Sequence, residues 1–265
     1  MLEPARIAEA AAILVEARQS GKPVRELPPS CKPVTAADAN AIIDAVTGQL
    51  DEVIVGWKIG FLFSPRQVPF ICPLFKSRVF ASPARVPLSL TPSRRIEPEI
   101  SFRLTRDLPP RDAKYRPDEV ADAVTACPSL EIVDTRFDTS YRSLRQMIDD
   151  RSSKIEAFAD HITTGAYVVG EGRPDWQEFD FAKIRMVMRT AKRTIVESVG
   201  GHAFVDPFLP CVVLANEMRH RGGMQAGQIM VTGSFTGFFE VDADQAVTAE
   251  FVGFGSAEAT FVTGE

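Results

Sequence analysis

The sequence predicts an α+β fold, in which a small helical N-terminal part precedes a larger β-rich body of sandwich-like or barrel-like form. Two observations lead to this prediction. Apolar side chains recur at helical spacing in the first 50 residues. The rest of the chain consists mostly of short β-branched and aromatic runs bounded by Gly, Pro or charged residues. We divide the chain into a small N-terminal helical or mixed segment, 1–80, and a β-rich segment, 81–265.

Two helices are predicted in the first segment. In the first helix, apolar residues recur on one face from Ile7 to Ala17, and Gly21 follows where a left-handed residue commonly ends a helix. The second helix begins after Thr35, because Thr35 can cap it and Asp38 occupies the capping-box position three residues later. Further helices are predicted within residues 117–126, 140–150 and 206–220.

Strands are predicted wherever β-branched residues form short runs. These runs are VIVGWKIGF, RIEPEISFRL, SLEIVDTRF, AYVVG, IRMVMRT, TIVESV, QIMVTG and VTAEFVGFGSAEATFV. The proline-rich stretch 64–92 is predicted to hold loops and short strands.

Composition excludes several classes of function. A net charge of −5 argues against a general nucleic-acid binder, which needs a basic surface. The four cysteines are far apart and have no zinc-ligand spacing. No apolar run is long enough to span a membrane, and the N-terminus does not have the pattern of a secretory signal, so we expect a cytoplasmic protein.

The first candidate site residues are Glu97 and Glu99, which flank Pro98 in a strand-like run. Residues two apart on a strand face the same side, so the two carboxylates would project together. A shared proton or a hard cation such as Mg²⁺ would relieve their repulsion. Pro98 cannot donate a ladder hydrogen bond, which predicts a sheet edge or a β-bulge. The alternative is two solvated glutamates on an exposed face.

A third carboxylate, Glu131, stands between apolar residues in a run that otherwise indicates a buried strand. A buried carboxylate needs a partner. A metal ion is one candidate, and a salt bridge with the nearby Arg136 is the other.

Three other motifs contain candidate residues. Lys58 lies in GWKIG, where a buried ammonium could act as an acid or base, although a lysine with an exposed head is the alternative. Asp160 and His161 could be acid–base or orienting groups, or could form an ordinary turn. The run from Thr232 through Gly233 to Ser234 ends an apolar strand and could bind a carboxylate, or could be a plain turn.

Taken in order, these motifs resemble the 2-keto-4-pentenoate hydratase and 4-oxalocrotonate decarboxylase family of the fumarylacetoacetate hydrolase superfamily. GWKIG is followed by IEPEISF, LEIVDTRF, ADHITTGAYVVG, a helix and AGQIMVTGSFTG, so the resemblance runs from about Val53 to the end of the sequence. The resemblance implies the superfamily's β-rich fold, and the helical N-terminal part is compatible with it.

The resemblance also implies roles for individual residues. Glu97, Glu99 and Glu131 would bind Mg²⁺ or Mn²⁺, and Lys58 would transfer protons. Asp160 would be catalytic, by positioning water.

The implied substrate-binding residues are Thr232, Gly233, Ser234 and His161. The implied activity is that of a metal-dependent hydro-lyase of aromatic catabolism, which hydrates a 2-hydroxy-2,4-dienoate to a 4-hydroxy-2-oxo acid. A small 2-oxo acid substrate and a homo-oligomer are expected, without nucleic-acid or membrane partners.

One segment departs from the family pattern. After Gly60 this chain continues with FLFSPR, where the family commonly has a Leu-Thr-Ser-Lys-like run, and Arg66 could replace the lysine charge. His161 also stands where asparagine is usual. The alternatives are therefore a decarboxylase of the 4-oxalocrotonate type, which would use the same metal, and a catalytically silent partner subunit.

Overall fold

The computed structural model describes residues 1–62 and 67–263, so the comparison of Phe63 and Arg66 with the family pattern falls outside the described residues. The described chain has an α+β fold, as predicted. The helices are α1 (Pro4–Ser20), α2 (Ala36–Leu50), α3 (Pro117–Ala121), α4 (Leu144–Asp149), α5 (Arg151–Ala159) and α6 (Phe208–Met218).

Most strands follow the predicted runs, but the run SLEIVDTRF lies in a strand that begins five residues earlier, and the last predicted run forms two strands. The strands are β1 (Ile54–Gly60), β2 (Phe70–Phe75), β3 (Val79–Ala81), β4 (Ala84–Pro87), β5 (Arg95–Leu104), β6 (Val124–Val133), β7 (Thr164–Val169), β8 (Arg185–Thr190), β9 (Thr194–Val199), β10 (Ile229–Ser234), β11 (Phe239–Glu240), β12 (Ala246–Phe251) and β13 (Gly255–Val262). The helix predicted within 117–126 is shorter than expected, because the chain enters β6 at Val124. None of the helices in the described part of the chain combines the length and the apolar character of a membrane span.

Local capping explains where α1 and α2 begin and end. Gly21 ends α1 in the left-handed conformation, at φ 67°. The Thr35 side chain accepts a hydrogen bond from the Asp38 N–H, and the Asp38 carboxylate accepts one from the Thr35 N–H, which forms the predicted capping box.

The chain forms two compact units. The smaller unit contains Met1–Ile54, Gly60–Pro73 and Thr135–Thr164, and the larger contains Val55–Ile59, Leu74–Asp134 and Gly165–Glu265. This differs from a single division near residue 80, because α4 and α5 belong with α1 and α2 although they lie far along the chain.

The smaller unit has its own apolar core, formed by side chains of α1, α2, α5 and the start of β2. Phe70 packs edge-on against Phe158, with 4.9 Å between the ring centroids. The buried Glu156 ties α5 to the preceding loops, since it accepts from the Leu27 N–H and pairs with Lys32 and Arg142.

The strands form two sheets. One has the strand order β4-β13-β12-β8-β9. The other follows the path β2-β1-β10-β5-β6-β7-β3, and β11 pairs with β5 beside this path. The centre of the second sheet is the antiparallel pair of β5 and β6, in which Glu97 lies opposite Glu131 and Glu99 lies opposite Ser129.

Pro98 therefore lies in a central strand, and the predicted sheet edge is wrong. Its carbonyl accepts from the Phe235 N–H, so its nitrogen, which has no proton, faces the same neighbouring chain. The neighbouring strand β10 has an irregular register. It pairs Val231 with Ser101 and Ser234 with Glu99, which leaves one extra residue on β10. The predicted bulge is thus present, on the partner strand.

Candidate active site

The candidate site lies on one face of β5 and β6. Side chains alternate along a strand, so Arg95, Glu97, Glu99 and Ser101 share a face of β5. Next to the glutamates along the two strands, the hydroxyl groups of Ser101 and Ser129 form a hydrogen bond of 2.5 Å. The larger unit also contains a cluster of buried apolar side chains, formed by Leu74, Cys127, Tyr167, Val169, Ile229 and Val231. The face thus passes from charged to apolar along the strands.

The three predicted metal ligands come together. Glu97, Glu99 and Glu131 each offer a carboxylate oxygen, and these oxygens lie within 4.8 Å of one another. Glu99 and Glu131 are fully buried, and Glu97 is partly exposed. The alternative of two solvated glutamates is therefore wrong for this face of the sheet.

Burial and mutual repulsion disfavour full ionisation of the cluster. Burial, with a contribution from Glu131, raises the pKa of Glu97 to about 8. Burial raises the pKa of Glu99 well above its usual range, and the charges of Glu131 and Glu97 raise it further. A cation that joined the three carboxylates would remove this penalty.

Lys58 is the buried partner of Glu131. It projects from β1 and forms an ion pair with the Glu131 carboxylate, to which its ammonium donates a hydrogen bond. Gly56, two residues earlier, lets β1 lie close to β10, because a β carbon at this position would lie 2.4 Å from the Ile229 carbonyl oxygen on β10. The first glycine of GWKIG thus has a steric reason. The alternative that Glu131 pairs with Arg136 is wrong, because its partner is Lys58.

Two hydroxyl groups orient the other glutamates. The buried Tyr167 on β7 donates a hydrogen bond to Glu99. The Ser234 hydroxyl accepts from the N–H groups of Thr236 at 3.1 Å and Gly237 at 2.9 Å, and its hydrogen bond to Glu97 favours the charged carboxylate. Tyr167 was not predicted, since a tyrosine in a buried strand is more often a core residue.

The predicted Thr232–Ser234 segment forms the bulge of β10 beside Glu99. Gly233 has φ 121°, and a β carbon there would contact only the Nε2 atom of His202, at 3.7 Å. Burial lowers the pKa of His202 to about 4, so the ring is neutral at pH 7, and its Nδ1 accepts from the Phe204 N–H. A neutral histidine with its Nδ1 accepting carries its proton on Nε2, which faces this segment.

Asp160 lies in the smaller unit, where its carboxylate is occupied. It accepts hydrogen bonds from the Arg136 side chain at 2.5 Å, the Arg136 N–H at 2.7 Å and the Thr135 hydroxyl at 2.8 Å. The Arg136 guanidinium also donates to the Asp160 carbonyl. This geometry anchors the chain around Thr135, and the catalytic role of Asp160 stays a prediction.

His161 follows in the same unit and is buried. Burial lowers its pKa well below the usual range, so the ring is neutral. It begins a run of three left-handed residues, His161, Ile162 and Thr163, with φ between 49° and 58°. Such a run costs energy in residues other than glycine, and function is a common reason for retaining it. Its predicted contact with substrate stays a prediction.

The donor set suits a hard divalent cation. Carboxylate oxygens are the ligands that Mg²⁺ and Mn²⁺ prefer, and three of them converge here. Glu99 adds an unsatisfied group, because nothing in the described chain hydrogen-bonds its buried Oε1 atom. The residues present therefore fit a metal ion.

Comparison with known proteins shows similarity to sequence relatives and to solved structures over most or all of the chain. No family model matches the chain. The 2-keto-4-pentenoate hydratase of Paraburkholderia xenovorans is 27% identical over 98% of this chain and 96% of its own length. The solved 4-oxalocrotonate decarboxylase of Pseudomonas putida, complexed with magnesium and adipate, has a TM-score of 0.79 at 21% identity and covers 99% of both chains. A fumarylacetoacetate hydrolase family protein of Yersinia pestis has a TM-score of 0.52 at 15% identity, over 80% of this chain and 94% of its own.

The fold and the carboxylate cluster together define a chain of the fumarylacetoacetate hydrolase fold with a candidate metal site. Within that fold, its relatives are enzymes of the hydratase and decarboxylase type. The resemblance predicted from the motifs is thus confirmed along the length of the chain.

Proposed function

We propose that this protein is a metal-dependent hydro-lyase that hydrates a 2-hydroxy-2,4-dienoate to a 4-hydroxy-2-oxo acid. The observation that carries the proposal is the convergence of Glu97, Glu99 and Glu131 within 4.8 Å beside the buried Lys58. The full-length similarity to a 2-keto-4-pentenoate hydratase supports the choice of reaction.

The three glutamates would hold Mg²⁺ or Mn²⁺. When bound, the cation would polarise the carboxylate and the 2-oxygen of a small 2-oxo acid, which stabilises negative charge on that oxygen. Glu97 is the partly exposed ligand, so substrate would approach from its side. Tyr167 and Ser234 would keep Glu99 and Glu97 oriented as charged ligands.

Lys58 would move the proton. Its ammonium is buried against Glu131, and this pairing would hold it beside the bound substrate. Lys58 would give a proton to the terminal carbon of the dienol while the 2-hydroxyl group loses one, which produces a conjugated 2-oxo-3-enoate. Water then adds across the remaining double bond and yields the 4-hydroxy-2-oxo acid.

The Thr232–Ser234 segment would bind the substrate carboxylate. Thr232 is buried, and no group within the described ranges hydrogen-bonds its Oγ1 atom, so this hydroxyl is available to a ligand. The His202 N–H faces the same segment and would fix it. We propose that Asp160 acts by anchoring Arg136, and that His161 contributes to substrate binding.

The test follows the ultraviolet absorbance of 2-hydroxypenta-2,4-dienoate with Mg²⁺ and then with EDTA. We expect the absorbance to fall only with metal, and 4-hydroxy-2-oxopentanoate to be the product. Glu99→Gln should abolish metal-dependent turnover. Glu197→Gln is the matched control, because Glu197 is an exposed strand residue paired with Arg185 in the other sheet.

Full metal-dependent turnover by Glu99→Gln would contradict the site. Release of CO₂ from 4-oxalocrotonate without hydration of the dienoate would assign the decarboxylase reaction instead. No turnover of either compound, together with no thermal stabilisation by Mn²⁺, would favour a silent partner subunit.

A further inference from the structure

Arg95 begins β5 on the face that carries the glutamates. The register places it opposite Val133 on β6 and opposite Glu240 on β11, one row beyond the row of Glu97 and Glu131. Exposure rises in this direction, since Glu99 is fully buried, Glu97 is partly exposed and the Glu240 side chain is 68% exposed. Arg95 therefore lies at the solvent end of the face that leads to the glutamates.

The guanidinium of Arg95 is largely buried and poorly satisfied. Its side chain is 14% exposed, and within the described ranges its ion-pair partner is Glu240, at a long distance of 3.9 Å. No hydrogen-bond acceptor in the described part of the chain meets the buried Nη1 atom. Phe238 lies 5.9 Å from the guanidinium carbon. A buried N–H group without an acceptor is costly, which indicates that a ligand supplies the acceptor.

Charge on this face points to an anionic ligand. Lys58 and a divalent cation together balance the three carboxylates of Glu97, Glu99 and Glu131. Arg95 then remains as one positive charge in excess, beside a weakly held and exposed Glu240. One carboxylate group of a ligand would neutralise it.

We propose that Arg95 is a substrate-binding residue, whose guanidinium takes a carboxylate of the organic acid that binds at the glutamate cluster. This inference rests on the proposed function for the position of the substrate. It adds a residue that sets the class of substrate, because a planar guanidinium fork matches a carboxylate with two parallel hydrogen bonds. An uncharged ketone or ester would not satisfy the Nη1 atom and the positive charge together.

The test measures ligand binding by titration calorimetry on the Mn²⁺-loaded protein. The probes are 2-oxobutanoate, with one carboxylate, and 2-oxoadipate, with two. We expect Arg95→Gln to weaken binding by about 10- to 100-fold, as loss of hydrogen bonds to a charged group does. The probe affinity of Arg95→Lys should lie between those of the unmodified protein and Arg95→Gln, because lysine keeps the positive charge but lacks the planar guanidinium. Arg85→Gln is the matched control, at an exposed arginine on β4.

The affinity for Mn²⁺ distinguishes loss of the Arg95 charge from damage to the fold. Removal of a neighbouring positive charge should leave Mn²⁺ binding unchanged or tighter, whereas a damaged fold would weaken it. Equal loss for both probes places Arg95 on the carboxylate next to the 2-oxo group, and loss for 2-oxoadipate alone places it on the distal one. Unchanged binding of both probes, or parallel loss of Mn²⁺ and probe affinity in both Arg95 variants, would overturn the proposal.

Failure of the proposed reaction is separable from failure of this inference. Hydration of the dienoate is scored on the unmodified protein, whereas the role of Arg95 is scored by binding. A protein that binds 2-oxobutanoate through Arg95 but does not hydrate the dienoate would remove the hydratase reaction and keep the carboxylate site.

Discussion

Raising the pH from 6.5 to 8 should destabilise the metal-free protein and should not destabilise the Mn²⁺-loaded protein. Glu97 has a pKa of about 8 in the folded chain and an ordinary value of 4.5 when unfolded. Between these values the folded state holds a proton that the unfolded state has lost. Stability from this group is therefore fully present below pH 4.5 and is lost as the pH rises towards 8.

The pH window is chosen to isolate the glutamates. The pKa of His202 is lowered from 6.5 to about 4, so its contribution to stability is lost only as the pH falls below 6.5. From pH 6.5 to 8, one retained proton corresponds to about 2 kcal/mol of lost unfolding free energy. For a chain of this size, that loss lowers the unfolding midpoint by roughly 4–8 °C.

The assay is thermal unfolding followed by circular dichroism, in EDTA and in excess Mn²⁺, at several pH values. Because the cation binds the deprotonated carboxylates, stabilisation by Mn²⁺ should increase with pH. Glu97→Gln removes one of the two carboxylates with a raised pKa and leaves Glu99, so it should reduce the fall in EDTA by the share of Glu97. A metal-free midpoint that stays constant or rises from pH 6.5 to 8, or a fall of the same size in Glu97→Gln, would refute the reasoning.

Three substitutions test other parts of the structure. Tyr167→Phe removes the donor that favours the charged form of Glu99, and we expect about tenfold weaker Mn²⁺ binding by calorimetry. Asp160→Asn weakens a buried ion pair with Arg136, and urea denaturation should show a loss of about 3 kcal/mol or more. Gly56→Ala would force β1 away from β10, and thermal unfolding should show a loss of about 1–3 kcal/mol.

Each substitution has a control of the same chemical kind. Tyr141→Phe changes a half-exposed tyrosine and should leave Mn²⁺ binding unchanged. Asp118→Asn breaks an exposed pair with Arg116 and should leave the urea midpoint nearly unchanged. Gly48→Ala adds a methyl group to α2 with no atom within 4 Å and should stabilise slightly. Unchanged stability with lost turnover in Asp160→Asn would support the predicted catalytic role of that residue.

Elements with complete local signals were predictable from the sequence. The capping box of α2 needs only Thr35 and Asp38, and the glycine that ends α1 is adjacent to the helix. The local signal for α5 is also complete, since Asp150 caps this helix by accepting from the Ser153 N–H, although the predicted helix ends at residue 150. The strand β11 has two residues and exists only through its pairing with β5, so no local pattern predicts it.

The same distinction applies to the site. Glu97 and Glu99 could be paired from the sequence because two-residue spacing on a strand fixes a shared face. The partner of Glu131 could not, since Lys58 is distant in sequence and reaches it across the sheet, whereas the nearer Arg136 binds Asp160. The places of Tyr167 and His202 at the site could not be predicted from the sequence, because they depend on tertiary contacts with Glu99 and Gly233.

The energetics of the carboxylate cluster also bear on whether the protein is active. The folded chain buries Glu99 and Glu131 completely, and burial, followed by repulsion among the carboxylates, raises the pKa of both Glu97 and Glu99. Above neutral pH this arrangement opposes folding in the absence of a cation. The serines, tyrosine and lysine around the cluster orient the carboxylates but do not neutralise all three. A divalent cation would remove the penalty, so the cluster is easier to explain in a metal-dependent enzyme than in a silent subunit.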